Sequence, residues 1–225
     1  MQNKGESTNI GDKINDFVQK NRKGIFFTFG IIVFLLAGIV VYLSLNDYLQ
    51  KKAIAEVEEL DRRFTELRSG GTVEEANADD IEALLADINA FAKNKSGFAG
   101  SKAWSIIGRI YSERKKWPEA EEAWRNAAKA GNKTYLGPAA YFNAAVAAEE
   151  QGKLEEAIEL FEKCVSHKFE FPAAPRAQFA IGRLNEKLNN FPAATEAYRA
   201  VLINWPSITV WANLAQSRIT AIEVR

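Results

Sequence analysis

Cys164 and His167 are the one cysteine and the one histidine of this chain, and they stand three positions apart. A thiol beside an imidazole suits a nucleophile with its base, or part of a metal site. Cys164 also occupies a small-residue position of a helical pattern described below, where it reads as a buried core thiol. A lone cysteine excludes an intramolecular disulfide and a cysteine cluster for metal. Glu149-Glu150 and Glu155-Glu156 have the composition of paired carboxylates, but their spacing suits solvated helix faces. No nucleophile elbow, phosphate loop, HExxH or CxxC motif occurs in the sequence. No catalytic residue, metal ligand or cofactor is therefore expected, and the chain is not expected to be an enzyme. Lys plus Arg total 29 and Asp plus Glu total 29, so no whole-chain basic field argues for nucleic acid.

Chemistry being scarce, the elements carry the argument. Gly24 to Leu45 reads GIFFTFGIIVFLLAGIVVYLSL, 22 residues without a charge. About 20 apolar helical residues cross a hydrocarbon core of roughly 30 Å, so a single transmembrane helix is expected here. The apolar run is longer than a signal-peptide core, and the stretch from Tyr42 to Asp47 offers no small-x-small cleavage site. Leu36-Ala37-Gly38-Ile39 resembles a lipoprotein box, yet Ile39 stands where the lipidated cysteine would have to be. Lys4, Lys13, Lys20, Arg22 and Lys23 precede the span, and Asn46 and Asp47 follow it. Positive charge in the short flank predicts a cytoplasmic N-terminus and a C-terminal domain across the membrane. Tyr42 and Tyr48 suit the far interface.

Beyond the span the chain repeats itself. Trp104, Ile107-Gly108, Tyr111, Trp117-Pro118-Glu119-Ala120, Trp124 and Ala127 form one copy. Tyr141, Ala144-Ala145, Ala148, Leu154-Glu155-Glu156-Ala157, Phe161 and Cys164 form the second. Ile181-Gly182, Asn185, Phe191-Pro192-Ala193-Ala194, Tyr198, Val201 and Pro206 form the third. Ala120, Ala157 and Ala194 are spaced 37 and 37 apart. The pattern resembles the tetratricopeptide repeat, W-x2-L-G-x2-Y, then A, then F, then P. The small residues Gly108, Ala145 and Gly182 let the first (A) helix of a repeat approach the second (B), and the aromatics Trp124, Phe161 and Tyr198 are expected to plug the gap to the next helix. Pro118 and Pro192 fit the first turn of helix B. Gly131 and Gly152 suit left-handed turns after helices. The extra residues fit loops at 131–138 and 167–175.

The flanks complete a solenoid. Leu49, Ala53, Val57, Leu60, Phe64 and Leu67 form a 3–4 apolar stripe, ended by Gly70-Gly71, that continues the span outward. Ile81, Leu84, Leu85, Ile88 and Phe91 form a second amphipathic helix, and together the two make a degenerate first repeat. Trp211, Leu214, Ala215 and Ile219 read as a C-terminal capping helix, which repeat arrays need. The expected fold is all-α: one N-terminal transmembrane helix, then a right-handed α-solenoid of three to four tetratricopeptide-like hairpins and a cap. The expected segments are 1–23 cytoplasmic, 24–45 spanning, 46–100 membrane-proximal helix and degenerate repeat, 101–206 three repeats, and 207–225 the capping helix.

In the resembled family, peptide ligands lie along the concave face of the A helices. Repeat phase places there Lys102, Ser105, Arg109 and Glu113, then Phe142, Val146, Glu149 and Glu150, then Arg176, Phe179, Arg183 and Lys187. Aromatic and arginine side chains suit a protein-binding face; the same residues also suit packing on the terminal helix, or plain solvation. The Lys/Asn set that clamps a C-terminal carboxylate in chaperone-binding members is missing.

The order of segments adds a finer resemblance. Ile14-Asn15-Asp16-Phe17-Val18-Gln19-Lys20-Asn21-Arg22-Lys23 precedes the span, and Phe91-Ala92-Lys93-Asn94-Lys95-Ser96-Gly97-Phe98-Ala99-Gly100 precedes the first repeat. This is similar to the YfgM-like family, ancillary subunits of the bacterial SecYEG translocon. The resemblance implies an inner-membrane protein with a periplasmic domain, working beside SecYEG with a membrane-anchored periplasmic prolyl isomerase-like chaperone and exported clients. The alternative is a structural scaffold of a periplasmic machine, such as a flagellar-motor collar.

Overall fold

A computed structural model describes residues 10–69, 71, 73 and 77–224; Lys4 and Gly70 lie outside them. The described residues form nine helices. The chain divides into two units, Met1–Lys51 and Lys52–Arg225. Helix α1, Ile10–Leu67, contributes residues to both.

In the first unit α1 holds a window with mean hydropathy 2.7, none of it buried. Phe26 is 75% exposed and Phe34 77%. Each large apolar side chain left in water forgoes about 1.5–3 kcal/mol. The Thr28 hydroxyl donates to the Gly24 carbonyl at 2.9 Å, which satisfies the one hydroxyl in the first half of the apolar run. By length and composition, this helix is long and apolar enough to cross a membrane.

In the second unit, Ala53, Val57, Leu60 and Phe64 of α1 are buried against Ile81, Leu84, Leu85, Ile88 and Phe91 of α2, Ala78–Ala92, and against α3, Gly97–Glu113. Two apolar stripes at helical spacing meet face to face, as their sequence requires. Leu49, the first residue of the expected stripe, belongs to the other unit and is exposed. Asn77 caps α2 by accepting from the Asp79 amide at 2.9 Å, and Asp79 and Asp80 complement the helix dipole.

Three hairpins follow: α3 with α4, Trp117–Ala130; α5, Leu136–Glu150, with α6, Leu154–Val165; and α7, Ala174–Lys187, with α8, Phe191–Asn204. Helix α9, Thr209–Glu223, comes last. Pro118 and Pro192 lie in the first turns of α4 and α8, where a missing amide hydrogen costs no helical bond. Pro138 and Pro175, expected in loops, also lie in first turns, of α5 and α7. The left-handed residue of each A–B turn falls at Lys115, Gly152 and Asn189, with φ of 54°, 77° and 59°. These three keep the 37-residue phase. Gly152 fits its expected left-handed turn, but Gly131 does not: its φ is −90°. A Cβ at Gly131 would strike Ser101, whose buried hydroxyl donates to the Ala127 carbonyl at 2.9 Å.

The aromatics Trp124 and Tyr198 of the B helices lie over the small residues of the A helices. A Cβ on Gly108 would stand 2.6 Å from the Trp124 ring, and one on Gly182 would stand 2.5 Å from the Tyr198 ring. Each ring covers the small residue of its own hairpin, and Tyr198 also packs on Ala215 and Ile219 of the next helix, α9. Phe161 packs edge-on against Phe142 at 5.3 Å. Trp104 and Tyr111 touch both the α1–α4 core and the core of α4 to α8, so the two are continuous. A third core joins Ala194, Tyr198 and Val201 to Ala215 and Ile219 of α9. Leu214, expected on the apolar side of the cap, is exposed, while Trp211 is half-buried against this core.

Candidate protein-binding face of the A helices

The A helices α3, α5 and α7, with α1 residues beside the first and α9 beside the last, carry every residue expected in a binding groove. Their positions repeat at 37 residues, so Ser105, Phe142 and Phe179 correspond, as do Arg109, Val146 and Arg183.

The first repeat's part of this face is already engaged. Lys102 Nζ lies 2.6 Å from Glu58 and 3.1 Å from Asp61 of α1. Burial works against the charged ammonium, but hydrogen bonds to Glu58 and Asp61 outweigh it and raise the Lys102 pKa. Arg109 reaches Asp61 at 3.3 Å, with its guanidinium 4.8 Å from the centre of the Phe64 ring. Glu113 pairs with Arg68 at 3.1 Å. Ser105 donates within its own helix to the Ser101 carbonyl at 2.8 Å.

Repeats two and three are joined by a second cluster. Arg183 grips both oxygens of Glu149 at 2.5 Å in the bidentate geometry that guanidinium and carboxylate share. Lys187 adds a contact at 2.9 Å. The hydrogen bonds from Arg183, opposed by burial and aided by Lys187, hold the Glu149 carboxyl down at about 2. Glu149 is thus the centre of an ion cluster and not a freely solvated acid. Glu156 meets Arg125 at 3.0 Å, while Glu150 and Glu155 stay exposed.

The aromatic members are less available than expected. Phe142 is 8% exposed; it packs on Phe161 and Phe171, with Arg176 5.1 Å above its ring. Phe179 is half-buried between Tyr198 at 5.1 Å and Trp211 at 5.5 Å. Phe142 is therefore a core residue under the face, and Arg176 is what the face presents above it. Val146 is half-buried against the same core. Arg176 is exposed and has no carboxylate partner among the described residues.

Two further ion clusters lie outside the expected set. Glu121, 6% exposed, receives Arg125 at 2.6 Å, Gln151 at 2.8 Å and Lys153 at 3.0 Å, tying α4 to the α5–α6 turn. Burial would raise its pKa, yet Lys153, Arg125 and Gln151 together lower it. Arg218 of α9 makes an ion pair with Glu186 of α7. The only sequence signal for these pairs is charge at i,i+4 for Glu121 and Arg125; the others are long-range. Exposed pairs contribute about 0–1 kcal/mol each, whereas Glu121 is buried, so removing its partners would leave a buried charge uncompensated.

Cys164 and His167 do not form a reactive pair. Cys164 is 1% exposed, and burial pushes its thiol up to about 12. His167 stacks on Phe169 at 5.8 Å and lies 6.3 Å from Tyr141, and its Nδ1 accepts from the Phe169 amide at 3.2 Å.

The tetratricopeptide repeat profile matches residues 107–168 and 165–207. A TPR repeat-containing protein of Treponema pallidum (strain Nichols) is 31% identical over 229 aligned positions, which cover 94% of this chain and 94% of that one. The likeness therefore extends well beyond the repeats themselves. Matching helical hairpins, matching profile and a relative aligned almost end to end agree that this chain belongs to the tetratricopeptide repeat proteins, whose repeats serve as protein-interaction scaffolds.

Proposed function

We propose that this protein is a membrane-anchored, non-enzymatic scaffold of the cell envelope, held in the inner membrane by α1 with its repeats in the periplasm. Its role on this reading is to assist exported proteins as an ancillary component beside the SecYEG translocon, together with a membrane-anchored periplasmic chaperone. The observation that carries the scaffold is the A-helix face, where Arg176, Arg183, Lys187 and the half-buried Phe179 stand together. The anchor is supported by the uncharged run from Gly24 to Leu45, whose large apolar side chains are exposed. The translocon role is supported by the order of the cytoplasmic segment, span and pre-repeat segment. Binding at the face would be concentrated near the membrane by the anchor.

Photo-crosslinkers placed at Arg176 and Arg183 in native membranes test this. Adducts with SecYEG subunits, a chaperone or exporting chains are expected. Only intramolecular adducts from a well-incorporated probe would sink the face assignment. Stoichiometric copurification with another envelope machine, without SecYEG, would favour the assembly-scaffold alternative.

A further inference from the structure

A pocket of about 400 Å³ opens where the α4–α5 loop meets the end of α6. Lys133, Lys163 and Lys168 line it with Asn132, Tyr141 and His167. None of the residues of the A-helix face lines it. The chain as a whole carries equal numbers of acidic and basic residues, yet no carboxylate lines this pocket among the described residues. Lys133 and Lys163 have no ion-pair partner there either, whereas the lysines and arginines of the A-helix face, Arg176 apart, are nearly all paired. Lys168 lies 5.0 Å from the Phe169 ring and is likewise without a carboxylate. Three like charges around one concavity repel one another, and an anion relieves that repulsion.

His167 is the second observation. Its Nε2 is buried, with the Asn132 backbone beside it. Gly137 is what admits the ring: a Cβ there would stand 2.8 Å from Nε2. Burial, then Lys168, lowers the His167 pKa, partly opposed by the Asn132 backbone. Besides Lys168, the titratable groups in the same pocket are Lys133, Lys163 and Tyr141, with Glu170 beside His167 in the adjoining cleft. Asn132 adds a side-chain amide that can donate to an anionic oxygen.

We propose that this pocket seats a carboxylate-rich segment of a partner protein. The proposal rests on the scaffold reading above and adds a second contact outside the A-helix face. A lipid surface is the less suited occupant. Membrane-docking patches set large exposed apolar side chains beside their lysines, and no residue lining this pocket is an exposed large hydrophobic.

Because the chain has one histidine, full-length protein labelled with ¹⁵N-histidine reports on the pocket through a single imidazole. The protein is placed in phosphatidylcholine nanodiscs and titrated with hexaglutamate. A saturable shift of the His167 signals and a rise in its pKa are expected, since an added anion stabilises the imidazolium. Lys133→Gln with Lys163→Gln should weaken binding about tenfold through loss of two charge contacts, and Lys93→Gln just after α2 should leave it unchanged. Helical circular dichroism confirms that both variants fold. Absence of a saturable shift overturns the proposal, as does unaltered affinity in the double variant. An equal response to inorganic phosphate alone, or to phosphatidylglycerol in the nanodisc, overturns it in favour of a small-anion or lipid site. Crosslinking from Arg176 in the double variant separates the two readings: loss of the pocket alone leaves those adducts in place.

Discussion

Four residues show how much a single side chain decides in this fold. Gly108 and Gly182 are small because an indole and a phenol ring lie directly over them. Gly108→Ala and Gly182→Ala should each destabilise the protein by about 1–3 kcal/mol, the usual cost of forcing extra volume into a packed site, read as a lower urea midpoint. Glu149 makes a pH-dependent contribution. Its folded pKa of about 2 lies below its ordinary 4.5, so the stabilisation is full above pH 4.5 and is lost as pH falls towards 2. Glu149→Gln should lower stability at pH 7 by about 1 kcal/mol, because solvent on this face screens the cluster. The gap between variant and wild type should close by pH 2; a gap that persists at pH 2 contradicts this origin. Cys164 should resist a thiol-specific reagent in the folded protein and react once the protein is unfolded, as burial holds its thiol near 12.

At the scale of elements, the A–B turns hold the clearest contrast between copies. The same turn position is Lys115, Gly152 and Asn189, and all three have positive φ. A side-chain-bearing residue there costs about 1 kcal/mol, less for asparagine. Lys115→Gly should therefore stabilise the first hairpin by up to about 1 kcal/mol, and Gly152→Ala should weaken the second by a similar amount. Thermal melting of the two variants in opposite directions is the expected outcome. The ends of the array differ in how they are covered. The stripe from Ala53 to Phe64 meets α2 and α3, and its acids Glu58 and Asp61 neutralise the cations of the first A helix. At the other end α9 covers Tyr198 but leaves Val210 and Leu214 exposed.

For the whole molecule, the proposed topology has a direct test. On that topology, protease added to spheroplasts removes the repeats while the segment before the span stays protected, as followed by tags at the two ends. Full protection of the repeats would reverse the orientation inferred from the lysines and arginines before Gly24. The same orientation places the A-helix face and the lysine pocket on the side where exported chains emerge.

Much of this was legible in residue types and spacing. Three copies in one 37-residue phase predict the hairpins, because a small residue, an alanine and an aromatic at fixed offsets match the geometry of two packed helices. The stripes at Ala53–Phe64 and Ile81–Phe91 predict the extra pair, since helical periodicity is a local property. Availability at the candidate face was not legible. Phe142 and Phe179 occupy equivalent positions, yet one is buried under Arg176 and the other lies half-covered by Trp211 of α9. Lys102 and Arg109 look free in sequence, yet they are paired with acids 41 to 48 positions away. Periodicity tells which face a side chain points to; only the tertiary packing tells what stands opposite, because ion pairs and ring contacts join residues whose separation along the chain carries no signal. The Cys164–His167 pair makes the same point from the side of chemistry: three residues apart in sequence, they differ in surroundings, the thiol buried in the core and the imidazole lining the lysine pocket.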